Sequence, residues 1–187
     1  MNEWSQKRKV MRRYDLTAQL YEMRYAEEQE AKYKAALENM NIAQDSLVLD
    51  VGCGEGLLFS RVTAKAQMIT GIDVSKKLLL QAKIRAKNFR NVSLIQADAD
   101  HLPFRNGFFN VVFAFTVLQN MPKPLETLNE LKRTAKHDAI IAVTGLKKAF
   151  PKDAFEKLLQ NAGLSVVSLK DEEALKCYVA ISFQNLT

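Results

Sequence analysis

The sequence predicts an α/β sandwich built on a mostly parallel, seven-stranded sheet, with an antiparallel hairpin at its C-terminal end and a helix before its first strand. Three observations lead there. The ten residues LVLDVGCGEG, Leu47 to Gly56, read as a buried strand entering a glycine turn. Apolar strand-like runs then alternate with helical patterns, as expected of βαβ units and a parallel sheet. Finally, the runs LSVVSLK and KCYVAISFQ are separated only by the polar DEEAL, short enough for an antiparallel pair.

Taken in order, Asp15 to about Met40 reads as a long helix. Leu47, Val48, Leu49 and Val51 make a strand covered on both faces. Further strands fall near 68–73, 92–97, 109–115 and 138–144, with helices near 55–65, 76–88 and 124–136. Ser75 is placed to cap the second of these helices, and Leu125, Leu128, Leu131 and Ala135 give the third its apolar stripe. Pro151 and Gly163 bracket a last helix carrying Phe155, Leu158, Leu159 and Ala162.

The 187 residues are 48% hydrophobic, enough for one substantial core, and no linker, repeat or low-complexity stretch divides them. One domain over 1–187 is expected. Cys53 and Cys177 give neither a disulfide framework nor a metal-ligand spacing, so a reducing, cytoplasmic setting and no metal are expected. The N-terminus is too charged for a signal peptide, and no run approaches the roughly 18 apolar residues of a membrane span.

Gly52, Gly54 and Gly56 let a ligand approach the main chain where a side chain would clash or forbid the turn. Asp73, ending the run QMITGIDVS 21 residues beyond Gly52, is spaced to accept hydrogen bonds from ribose hydroxyls. NAD is disfavoured, because Leu57 stands where G-x-G-x-x-G needs its third glycine. Asp50, two residues before the turn, would also repel a pyrophosphate. It suits a ligand bearing an ammonium and a sulfonium.

With these features the chain resembles the class I S-adenosylmethionine (SAM) methyltransferases, most nearly the ubiquinone/menaquinone-biosynthesis type and its tRNA-modifying relatives. DVGCGEG, GIDVS, QADADHLPF and FTVLQNMPKP followed by a helix occur in that family's order. The resemblance implies a Rossmann-like methyltransferase sandwich, an enzyme, and SAM as cofactor. Cys53 belongs to the implied cofactor turn as a small buried side chain rather than a reactive thiol. Asp98 would accept from the adenine amine and the Ala99 amide would meet a ring nitrogen. Val74 and Leu78 either sandwich the adenine or pack in the core, and Leu102, Pro103 and Phe104 are pocket wall or core. The segment 115–120, from Phe115 through Thr116 to Asn120, is where such enzymes read the acceptor. It lacks the Asn/Asp/Ser-Pro-Pro-aromatic tetrad of enzymes that methylate exocyclic base amines or glutamine amides.

Tyr14, Ala18, Tyr21 and Tyr25 recur at helical spacing, and in the resembling family a Tyr-Asp-x-x-Ala-x-x-Tyr segment closes over the cofactor. Residues 1–40 are therefore expected to form a basic arm and lid helix, and 41–187 the core. This face is lid, packing surface, or both. Lys7, Arg8, Lys9, Arg12 and Arg13 oppose only Glu3, so +4 of the formal +6 lies before Tyr14. That arm points to an RNA acceptor, tRNA or rRNA, ahead of a small molecule of the quinone-biosynthesis kind; the plain alternative is a solvated terminus. Family likeness also implies a possible partner, a small zinc-binding activator subunit. A non-catalytic SAM-binding scaffold is the remaining alternative, disfavoured by the intact Asp50, Asp73 and Asp98.

Overall fold

The computed structural model describes residues 3–38 and 40–184, with the side chains of 17–25 outside the description. Seven strands form one sheet: β1 (Leu47–Val51), β2 (Met68–Asp73), β3 (Val92–Gln96), β4 (Phe109–Ala114), β5 (Ala135–Leu146), β6 (Leu164–Lys170) and β7 (Cys177–Gln184). Their order is β3-β2-β1-β4-β5-β7-β6. The first five are parallel neighbours, while β7 runs antiparallel to both β5 and β6. The helices are α1 (Glu3–Leu37), α2 (Phe59–Val62), α3 (Lys76–Ala86), α4 (Pro124–Thr134) and α5 (Lys152–Asn161).

Two buried clusters lie on the two sides of the sheet. One joins Leu128 and Leu131 of α4 and Phe155 and Leu159 of α5 to Leu49, Val112 and Ile141. The other joins Tyr33 and Ala36 of α1, Phe59 of α2 and Ala82 of α3 to Val48, Val111 and Phe113. Alternate residues of β1 thus face opposite layers, as an unbroken apolar strand requires.

Three boundaries differ from the sequence expectation. The helix expected over 55–65 shrinks to the single α turn of Phe59–Val62 with a 3-10 turn after it. Gly56 is the cause: its φ of +76° keeps the chain in a turn, and a Cβ there would stand 2.2 Å from the Phe59 ring. The α4 helix stops at Thr134 and Ala135 begins β5, because the Gly107 and Phe108 amides donate to the Arg133 and Thr134 carbonyls. Most consequential, α1 begins at Glu3 rather than Asp15. The basic segment is the first part of a 35-residue helix, with Lys7 buried and Arg8, Lys9, Arg12 and Arg13 exposed.

Candidate active site

In an open parallel sheet, ligands bind beyond the strands' C-terminal ends where the strand order reverses, here between β1 and β4. A cleft of about 720 Å³, open mouth included, lies there. Gly52 and Gly54 follow β1, Asp73 and Val74 end β2, Ala97, Asp98 and Ala99 follow β3, and Phe115, Thr116 and Val117 follow β4; all line it. Leu78 from α3 joins them, as do Lys7, Val10 and Tyr14 from α1 and Asn120 from the segment after β4. A second, smaller cavity shares Gly52, Gly54 and Phe115 with the cleft and adds Asp50, Cys53, Gln29 and Tyr33.

Local chemistry fixes these groups. Asp73 accepts from the Gly54 amide at 2.9 Å and the Ser75 amide at 2.8 Å, so one carboxylate ties the glycine turn to the end of β2. Ser75 in turn caps α3 by accepting from the Leu78 amide at 3.2 Å. Burial pushes the Asp73 carboxyl up, the Ser75, Gly54 and Val74 amides pull it back, and the balance lies at about 6. Burial first and the charge of Asp73 second push Asp50 up to about 8. Cys53 is raised well above its ordinary value, chiefly by burial and then by Asp50 and Asp73, so it stays a thiol.

The first part of α1 spans the cleft and is tied to three of its rims. Lys7 Nζ lies 2.7 Å from Asp98 and 2.5 Å from Asp100 after β3. Burial opposes the charge of Lys7, but the Asp100 and Asp98 carboxylates prevail and raise its pKa. Arg13 donates to Asn120 Oδ1 at 2.7 Å, and Asn120 Nδ2 donates to the Tyr14 hydroxyl at 3.1 Å. Ser75 donates its hydroxyl proton to Asp15 at 2.5 Å. Two of the five basic residues, Lys7 and Arg13, are therefore engaged at the cleft.

Thr116 carries the one positive φ at a non-glycine residue among the described residues, +63°. Such a conformation costs a β-branched residue about 1–3 kcal/mol and persists only where the surroundings hold it. Here the Thr116 amide donates to Thr144 Oγ1 at 2.8 Å and its carbonyl accepts from Asn120 Nδ2 at 2.7 Å.

Not every residue singled out from the sequence reaches the cleft. Gly56 faces Phe59 and lines neither cavity. Cys53 and Asp50 face the smaller cavity only. Leu102 is buried in the core and Phe104 packs edge-on against Phe109, while Pro103 is exposed, so none of the three walls the cleft. The side chains of Tyr21 and Tyr25 lie outside the described residues. Sequence reasoning placed Lys7 in a phosphate-binding arm rather than on Asp98 and Asp100, and it missed Val10, Gln29 and Lys32; only the helical spacing of Glu28 and Lys32 hinted at a pair.

The strand order, the cleft at its reversal and the acidic strand ends define a cofactor-binding α/β methyltransferase. Residues 49–143 match the model of the methyltransferase domain family, about half of the chain, and the chain belongs to that family as a class I SAM-dependent methyltransferase. A demethylmenaquinone methyltransferase of Staphylococcus saprophyticus is 32% identical over 111 residues, which is 58% of this chain and 48% of that protein. The chain spans about half the length of the curated relatives it matches. Among solved structures, magnesium protoporphyrin IX methyltransferase from Synechocystis with bound SAM superposes with a TM-score of 0.77 at 18% identity, over 96% of this chain and 97% of that one. A chain solved in complex with a Haloferax volcanii methyltransferase activator gives 0.80 at 14% identity, over 93% and 96%.

SAM is the cofactor, and the residues present fit it. Gly54 leaves open space where any other residue would place a Cβ. Asp73 could hold the ribose, and Asp50 could hold the ammonium. No helix among the described residues is long and apolar enough to cross a membrane.

Proposed function

We propose that the protein methylates a small-molecule acceptor, of the electron-rich aromatic kind that the name demethylmenaquinone methyltransferase denotes, rather than RNA. The observation that carries this is the inward engagement of the basic helix. Lys7 is neutralised by Asp98 and Asp100 of the protein's own cleft and Arg13 donates to Asn120 at its rim, and α1 roofs a space of small-molecule size.

SAM, when bound, supplies an electrophilic methyl on a sulfonium. The chain's task is then to bind, orient and exclude water. In this proposal Gly52, Gly54 and Asp50 take the amino-acid end of the cofactor, and Asp73 takes the ribose. Val74, Leu78, Asp98 and Ala99 take the adenine, which requires Lys7 to share or release Asp98. Phe115, Thr116, Asn120 and Tyr14 face the acceptor, with α1 as the lid.

The test is transfer of labelled methyl from SAM into fractionated small-molecule, RNA and protein pools from cells. Label in an organic-extractable small molecule is expected. Label in RNA would overturn the proposal and return the role of phosphate contact to Arg8 and Arg12, both exposed on α1. Transfer by the purified chain alone would also show that no activator subunit is needed.

A further inference from the structure

Among the described residues Lys32, on α1, is one of the largest side chains fully withdrawn from solvent, 1% exposed. Its Nζ lies 2.8 Å from Glu28 and 3.2 Å from the Thr116 hydroxyl oxygen. Glu28 is shared with Lys176 at 3.0 Å. Glu28 thus links the buried Lys32 behind Thr116 to Lys176 at the surface. The Gln29 amide donates to the same Thr116 oxygen at 3.4 Å.

A hydroxyl oxygen has two lone pairs and one proton. Lys32 and Gln29 take both lone pairs, so Oγ1 has no room to accept from a ligand. Its amide and carbonyl are also satisfied, by Thr144 and Asn120. What remains is the hydroxyl proton, which has no acceptor among the described residues and belongs to a residue lining the cleft. An ammonium donating to Oγ1 withdraws electron density and strengthens that O–H as a donor. Strained backbone, buried cation and unspent proton coincide at one residue in the segment after β4.

We propose that Thr116 grips the acceptor by donating this proton to an anionic oxygen, a phenolate or enolate, beside the atom to be methylated. Lys32 is the positioning residue that aims and polarises the hydroxyl. The inference rests on the small-acceptor reading and adds to it the chemistry of the bound form: the acceptor sits as its oxyanion, the proton lost on ionisation having gone to solvent. The other charges lining the cleft are Lys7, Asp73 and Asp98, with Arg13 on Asn120. None of them touches Thr116 Oγ1.

The test titrates protein loaded with S-adenosylhomocysteine with 4-nitrophenol, whose visible absorption separates phenolate from phenol. The wild type should bind the phenolate in preference to the phenol. Thr116→Val, which keeps shape and removes the proton, and Lys32→Met should each weaken phenolate binding by about tenfold or more, while Thr116→Ser should restore it to within about threefold. Affinity for S-adenosylhomocysteine should stay constant throughout, which reports on folding. Should Lys32→Met lose that affinity, the comparison of Thr116→Val with Thr116→Ser decides alone. Absent phenolate binding by the wild type, equal affinity for phenol, or a Thr116→Val variant that binds like the wild type would overturn the inference. Label from SAM entering a small molecule while the probe ignores Thr116 would overturn this inference alone, whereas label entering RNA would overturn the reading beneath it.

Discussion

Cofactor binding should expel a proton from Asp50, and the amount follows from how that residue is buried. It lies in β1, one residue before the strand ends, with 4% of the residue exposed, and burial together with Asp73 pushes the carboxyl up to about 8. At about pH 7 some nine-tenths of ligand-free molecules therefore hold Asp50 neutral. An ammonium placed beside it restores the charged form, so binding of S-adenosylhomocysteine should release about 0.9 proton at that pH. The charged fraction of free Asp50 grows from about 0.01 at pH 6 to about 0.09 at pH 7, and affinity should rise about ninefold between them. Asp73, at about 6, adds at most about another twofold over the same interval. The ligand's own amine stays protonated there. Calorimetry at pH 7 in buffers of different ionisation heat counts the proton directly, and Asp50→Asn should abolish both the release and the ninefold slope. The same carboxyl acts on stability with a definite sign. Its folded value lies above its ordinary 3.8, so its stabilising contribution is full below about pH 4 and is lost as pH rises through about 8. A proton count near zero with affinity flat from pH 6 to 7 would refute the reasoning.

Three further outcomes are expected. Lys7→Met leaves Asp98 and Asp100 facing each other without their cation; it should cost about 1–3 kcal/mol in chemical denaturation and speed tryptic cleavage at Arg12 and Arg13, and unchanged cleavage would mean that the ion pair does not hold α1. Asp73→Asn keeps one acceptor oxygen for two amide donors, so calorimetry should show affinity for SAM about ten- to a hundredfold lower. Gly145→Ala would set a Cβ 2.5 Å from the ring of fully buried Phe155; a loss of about 1–3 kcal/mol should appear as a lower urea midpoint, and an unmoved midpoint would show that the ring can yield.

The parallel core was legible because its signals are local. β1 and its glycine turn, the Ser75 cap and the Pro151–Gly163 bracket each depend on neighbours within a few positions, and each stands where the sequence places it. Of the expected α4 stripe, Leu128 and Leu131 are buried, whereas Leu125 is exposed and Ala135 begins β5. Asp73, Asp98 and Thr116 could be found for the same reason, as strand ends. The extent of the helix after the glycine turn could not, since the limit is the Phe59 ring against Gly56, a packing fact rather than a propensity. Leu102 and Phe104 illustrate the same limit, since an apolar side chain at a pocket and one in a core carry the same composition.

The roof of the site was the hidden part, and the reason lies in how α1 is attached. Its first three turns carry Lys, Arg and Glu with no continuous apolar stripe, so hydrophobic periodicity gave no reason to begin a helix before Asp15. What anchors this stretch is polar and remote: Lys7 pairs 91 residues away with Asp98, and Arg13 pairs 107 away with Asn120. No local pattern encodes such partners. Of the charge that looked like an invitation to phosphate, Lys7 is spent instead on carboxylates of the cleft, and farther along the helix Lys32, spaced like an ordinary solvated i,i+4 partner of Glu28, is buried behind Thr116. An acidic cleft needs cations to close over it, and a helix held by ion pairs rather than by apolar burial can release them when a ligand takes the same carboxylate. The cleft that α1 covers therefore accounts for Lys7, whereas Arg8 and Arg12 face outward on the same helix.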